Sequence, residues 1–196
     1  MEHKVADPAP LGLAAFAMTT FCLSSANAGW WDKGGASAAL ALALIYGGTA
    51  QFAVGMWEFM RKNTFGALAF TSYGAFWIGF YILLKIPAIP ASTNTVGIFL
   101  LAWAIFTAYM TIAATRVNMA VLSVFVFLTL TFVALTIGNW GMGHTGMVKL
   151  GGYLGIVTAL LAWYASAAGV INDTHGKVVL PVGPLNRPVV ASTSMN

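Results

Sequence analysis

Residues 117–148 read VNMAVLSVFVFLTLTFVALTIGNWGMGHTGMV, without one Asp, Glu, Lys or Arg between Arg116 and Lys149. That run exceeds the ~20 apolar residues that carry a helix across a ~30 Å hydrocarbon core. Outward from it the pattern repeats. Residues 8–31, 34–57, 63–84, 86–115 and 150–172 are equally free of charge. The charges punctuate these runs: Asp32 and Lys33, then Glu58, Arg61 and Lys62, then Lys85, Arg116, Lys149 and Asp173. Hydrocarbon offers no water to exposed N–H and C=O groups, so each run must close its own hydrogen bonds as a helix. The pattern predicts an all-α polytopic membrane protein with six transmembrane helices per protomer.

Composition agrees. Hydrophobic residues make up 59% and charged residues 7%, against roughly 25% charged in a soluble domain. The helices consume most of the 196 residues, leaving no room for a soluble catalytic domain. The chain divides into an N-terminal segment (1–10), a six-helix domain (11–171) and a C-terminal tail (172–196). The net charge of +4 is scattered over loops and tails, with no basic cluster to follow a nucleic-acid backbone. It reports topology instead. If sides alternate, Lys4, Arg61, Lys62, Arg116, Lys177 and Arg187 share the side of the termini, against Lys33, Lys85 and Lys149 opposite. The positive-inside rule then places both termini of this multi-pass protein in the cytoplasm. Residues 1–10 carry Glu2, Asp7 and two prolines, and the apolar run after them is too long for a signal-peptide core.

Pro8 and Pro10 mark the start of the first helix, expected from near Leu11 to Gly29. The others are expected near Ala36–Met60, Thr64–Ile86 (stopped by Pro87 and Pro90), Thr95–Thr115, up to Gly138–Asn139, and Met147–Ile171. The tail beyond Asn172, broken by Gly and Pro, reads as extended and partly disordered. Small residues recur at four-residue spacing: Ala43, Gly47, Gln51 and Gly55, then Gly151, Gly155 and Ala159. Such stripes let helix backbones approach closely in lipid, within a protomer or between protomers.

Absences narrow the chemistry. The runs hold no carboxylate for a proton relay and no arginine ladder. His3, His144 and His175 fall at helix ends or in tails, so no pair of them clamps a haem. There is no His-Glu-x-x-His and no phosphate-binding loop. Enzyme activity, metals and cofactors are not expected. Cys22, mid-helix, reads as a small hydrophobe. The polar groups left inside are neutral: hydroxyls such as Thr20, Thr71 and Thr107, which mostly bond back to their own helices, and the Gln51 amide, which needs a partner helix or water. Phe70, Tyr73 and Trp77 share one helix face. Residue types alone point to a channel or facilitator for a small, weakly polar or singly charged solute, urea among the neutral ones. The contrasting reading is a structural membrane subunit that transports nothing.

Particular words of the sequence go further. Asp7-Pro8-Ala9-Pro10-Leu11-Gly12-Leu13 closely resembles the Asn-Pro-Ala-Pro-Leu-Gly-Leu signature of the acetate uptake transporter family, the succinate–acetate permeases. Tyr46-Gly47-Gly48-Thr49-Ala50-Gln51, Asn63-Thr64-Phe65-Gly66, Phe70-Thr71-Ser72-Tyr73-Gly74-Ala75-Phe76-Trp77, Ile137-Gly138-Asn139 and Val179-Leu180-Pro181-Val182-Gly183 follow in family order. The resemblance implies a hexamer of six-helix protomers, each passing acetate and in some members succinate, by channel-like or proton-coupled flux. It also implies a hydrophobic constriction made by Phe16, Tyr73 and Leu128, with Leu130 the neighbouring choice for the third position. Thr20, Gln51 and Thr71 join these as candidate substrate-binding residues. Neutral donors of this kind bind an anion without holding it too tightly to leave. Asp7 departs from the signature's Asn; both residues can cap a helix.

Overall fold

The computed structural model describes residues 5–31, 36–86, 91–141 and 143–186. Glu2, His3, Lys4, Asp32, Lys33, Pro87, Pro90 and Arg187 lie outside the described residues. Six helices within them are long and apolar enough to span a membrane. They are α1 (Ala9–Asn27), α2 (Ala36–Met60), α3 (Thr64–Lys85), α4 (Thr93–Ala114), α5 (Met119–Gly138) and α6 (Thr145–His175).

Local chemistry sets the ends. Asp7 accepts the N–H of Ala9 at 3.1 Å, and Pro10 sits in the first turn of α1, where its missing N–H costs nothing. Asn63, Ser92 and Asn118 cap α3, α4 and α5 by accepting the N–H groups of Gly66, Thr95 and Val121. The Ser92 cap starts α4 two residues before the expected Thr95. The last helix outruns its expected limits at both ends. Asn172 and Asp173 do not stop it; the stop is Gly176, left-handed at φ 61°, the usual glycine C-terminal signal.

Helix α2 departs from a plain α-helix. Ile45–Ala50 form a π turn, and the Thr49 hydroxyl donates to the Leu44 carbonyl at 2.7 Å. A π turn re-aims everything after it, beginning with Gln51.

Packing explains the small-residue stripes. A Cβ on Gly47 would strike Thr19, one on Gly55 would strike Thr71, and one on Gly151 would strike Leu135. Gly155 lies against Ser24, and Gly152 against the backbone of Asn27 and Ala28. These close approaches all fall within one protomer, joining α1 to α6, α1 to α2, α2 to α3 and α5 to α6. Elsewhere rings hold helices apart. Phe76 of α3 stacks on Phe99 of α4 at 5.7 Å and meets Trp103 edge-on at 5.2 Å.

The start of the tail is not disordered. Beyond α6 the chain turns back as a strap over the end of the bundle. Asn172 accepts the N–H groups of Val179 and Leu180 and donates to the Leu180 carbonyl. Tyr164 donates to Pro181 at 2.7 Å. The N–H groups of Met119 and Ala120 donate to Gly183 and Val182, and Leu185 donates to Val117. Gly and Pro here permit turns that fixed partners then hold.

Candidate functional site

Where α1, α3 and α5 begin and α2 and α6 end, the bundle encloses a cavity of about 540 Å³, within the ~300–1,000 Å³ usual for small-molecule sites. Each wall is one helix face, read at three- and four-residue steps. The α1 wall is Pro10, Leu13 and Phe16; the α3 wall is Gly66, Ala69, Phe70 and Tyr73; the α5 wall is Val121, Val124, Phe125 and Leu128.

The three innermost lining residues on those walls are Phe16, Tyr73 and Leu128. All three are almost wholly buried. The rings of Phe16 and Tyr73 stand 5.8 Å apart and tilted. Leu130 lies outside the cavity, 47% exposed. The Tyr73 hydroxyl is 2.9 Å from Thr107 Oγ1. Thr107 gives its own proton to the Trp103 carbonyl at 2.7 Å, so Tyr73 is the donor, tied to α4.

Gln51 also lines the cavity and is 1% exposed; its Oε1 has no partner. The π turn immediately before it sets this aim. Thr20 and Thr71 do not line the cavity. The Thr20 hydroxyl is buried without a partner, one turn beyond Phe16 on α1. The Thr71 hydroxyl is also unpartnered and packs against Gly55 of α2. The structure thus brings Phe16, Tyr73, Leu128 and Gln51 to one cavity, while Thr20 and Thr71 are not among its lining residues.

The mouth is polar. Asp7, Arg61, Asn63, Asn118 and Asn172 line it, beside Val182 of the strap. Asp7 and Arg61 form an ion pair there. Glu58 needs a correction: among the described charges that punctuate the runs, it is the one withdrawn from water. It sits inside α2 at 0% exposure, takes 2.8 Å from Asn63 Nδ2 on one oxygen and has no partner on the other. A buried carboxylate left half-satisfied is costly. It lies behind Gly66, where a Cβ would crowd both Glu58 and Asn63, and is not itself a lining residue.

Several lining or supporting groups escape sequence reasoning. Phe125 faces both Tyr73 and Phe65, at 6.0 and 5.3 Å, but on the near-continuous apolar α5 no periodicity marks its inner face. Val182 reaches the mouth only because the strap folds back. Thr107 was legible as a polar residue in a span, though not as the partner of Tyr73.

The profile of the GPR1/FUN34/yaaH family matches residues 1–187. Acetate permease A of Emericella nidulans is 39% identical over 92% of this chain, which spans 66% of that relative's length. The succinate-acetate/proton symporter SatP of Escherichia coli is 36% identical over 92% of this chain and 96% of its own. Ammonia transport outward protein 2 of Saccharomyces cerevisiae is 38% identical over 91% of this chain and 66% of its own. Among solved structures, the bacterial acetate channel SatP superposes with a TM-score of 0.87 at 36% identity, over 92% of this chain and all of that one.

Proposed function

Because this chain belongs to the GPR1/FUN34/yaaH family, we propose that it moves acetate, and succinate with it, across a membrane through a path inside each protomer. The observation that supports the reading is the cavity whose innermost lining residues are Phe16, Tyr73 and Leu128, in a bundle that superposes on an acetate channel at a TM-score of 0.87. In this reading the three side chains form the constriction. An apolar ring gates by excluding continuous water, so a methyl-bearing carboxylic acid crosses it more readily than a hydrated inorganic ion. Gln51, whose unpartnered Oε1 accepts, meets the protonated carboxyl group on the mouth side. Thr20, a turn past Phe16 with a free hydroxyl, receives it beyond the ring, and Thr71 supports the α2–α3 contact. The protomers assemble as a hexamer in the inner or plasma membrane. The mouth and both termini face the cytoplasm, by the six-to-three excess of basic residues.

The test is radiolabelled acetate uptake into proteoliposomes, with and without an imposed pH gradient, against formate, lactate, succinate, urea and ammonium as competitors. Acetate should enter above the level of empty liposomes, and succinate should compete. Acceleration by an inward proton gradient marks symport; indifference to it marks a channel. A folded protein that moves ammonium or urea but no carboxylate overturns the proposal.

A further inference from the structure

Among the described residues that line the cavity, Asp7 and Arg61 are the only formally charged side chains, and they are paired with each other. Neither is free to drift. Asp7 also accepts the N–H of Ala9, which fixes it to the start of the helix that carries Phe16. Arg61 ends the helix that carries Gln51. Among the described residues, the guanidinium at the mouth is therefore already occupied by a carboxylate of the protein itself. The buried Glu58 forms no ion pair with Arg61, and one of its oxygens is held by Asn63.

This arrangement treats the two substrate classes differently. Gln51 of α2 lies ten residues before Arg61, ~15 Å along the axis, farther than a short dicarboxylate spans. A monocarboxylate brings one negative charge to the mouth; a dicarboxylate brings a second carboxylate with it. There the planar fork of Arg61 is the group best suited to receive it, while Asp7 holds that fork and repels the newcomer. We infer that Asp7 is a specificity-determining residue, which by occupying Arg61 biases the cavity toward monocarboxylates and against dicarboxylates. The inference rests on reading the cavity as a carboxylate path. Both side chains are partly exposed, at 51% and 31%, so the bias is of the size of a partly screened ion pair, a few-fold rather than orders of magnitude.

The experiment is competition against bound radiolabelled acetate in detergent, where the orientation of the protein does not matter. Unlabelled acetate and succinate are the competitors. Asp7→Asn keeps an acceptor for Ala9 and frees Arg61. Succinate should then compete about threefold to fivefold better relative to acetate, a gain that shrinks as ionic strength rises. Arg61→Gln leaves an unpaired anion at the mouth and should shift the ratio the opposite way. The double variant restores neutrality and should bring the ratio back toward its native value. Acetate and succinate shifting by the same factor in both single variants, or an unchanged ratio, overturns the inference. If Asp7→Asn does not fold, Arg61→Gln decides alone: equal weakening of both competitors, or none, sinks it. Native protein that binds neither carboxylate would instead count against the carboxylate path itself.

Discussion

Helix α1 meets two kinds of neighbour, and the contrast separates frame from path. Against α6 it packs to backbone contact, with Gly152 under Asn27 and Ala28, Gly155 under Ser24, and the Ser166 hydroxyl donating to the Pro10 carbonyl at 2.6 Å. Against α3 it is held off by rings, Phe16 on Tyr73, with the cavity beside them. Lipid supplies no hydrophobic force between helices, so close packing of small residues is what fixes one helix on another. Rings on rotatable bonds can yield where a glycine–backbone contact cannot. On the proposed reading, one helix thus belongs at once to a rigid frame and to a deformable gate.

The largest effect should come from breaking the frame. In Gly152→Leu the new side chain meets backbone atoms of Asn27 and Ala28, which have no rotamer to turn. Overpacking in a filled core costs ~1–3 kcal/mol, and a backbone neighbour puts this case at or above the upper end. Thermal unfolding in detergent should show a clear loss of stability or no folded protein at all. Gly146→Leu is the control, since a Cβ there meets nothing within 4 Å. A folded Gly152→Leu as stable as the control would show that the α1–α6 contact is not the frame.

Opening the gate should act on selectivity. Phe16→Ala and Leu128→Ala each remove bulk from the inner end of the cavity while leaving the glycine contacts of α1 and α6 in place. Pocket discrimination is worth ~10-fold or more for a small change of apolar bulk. Flux of a bulkier monocarboxylate such as benzoate should therefore rise about that much relative to acetate in proteoliposomes. Loss of stability with an unchanged substrate range, in well-folded protein, would reduce Phe16 and Leu128 to packing residues.

The same contrast governs what the sequence revealed. Six spans were legible because hydrocarbon forbids free charges, so Arg116 and Lys149 bracket α5, although Lys149 itself lies in the second turn of α6. The family words placed Phe16, Tyr73 and Leu128, and the α5 face through Val121, Val124 and Leu128 agrees with Leu128 over Leu130 as the cavity residue. Three features were not legible, because none is marked by residue type or spacing alone. Nothing local announces the π turn at Ile45–Ala50, because its glycines suit a close helix contact equally well. The strap reads as a disordered tail until Asn172, Tyr164 and Val117 supply partners. Glu58 reads as a solvated charge, because only the fold carries Asn63 and Gly66 over it. The glycine stripes suggested both bundle and oligomer; the fold fills Gly47, Gly55, Gly151 and Gly155 from within the protomer, so the hexamer rests on family resemblance.

The smallest effect separates the two functions of Tyr73. Its ring closes the cavity against Phe16, while its hydroxyl donates to Thr107 across to α4, where α3 and α4 otherwise meet mainly through aromatic side chains. Tyr73→Phe keeps the ring and removes one hydrogen bond, worth ~0.5–1.5 kcal/mol net. The cost should lie at the low end. Thr107 still gives its proton to Trp103, so no buried donor is orphaned, and the hydroxyl leaves with its own need for a partner. Thermal unfolding should shift slightly downward, and acetate flux and the exclusion of benzoate should stay near native. Thr107→Val removes the other half of the bond but leaves the Tyr73 hydroxyl buried without an acceptor, so it should cost more than Tyr73→Phe. If Tyr73→Phe instead abolishes acetate flux while the protein melts normally, the hydroxyl touches the substrate. The ring would then be a binding site as well as a gate, and the division between frame and path would have to be redrawn at Tyr73.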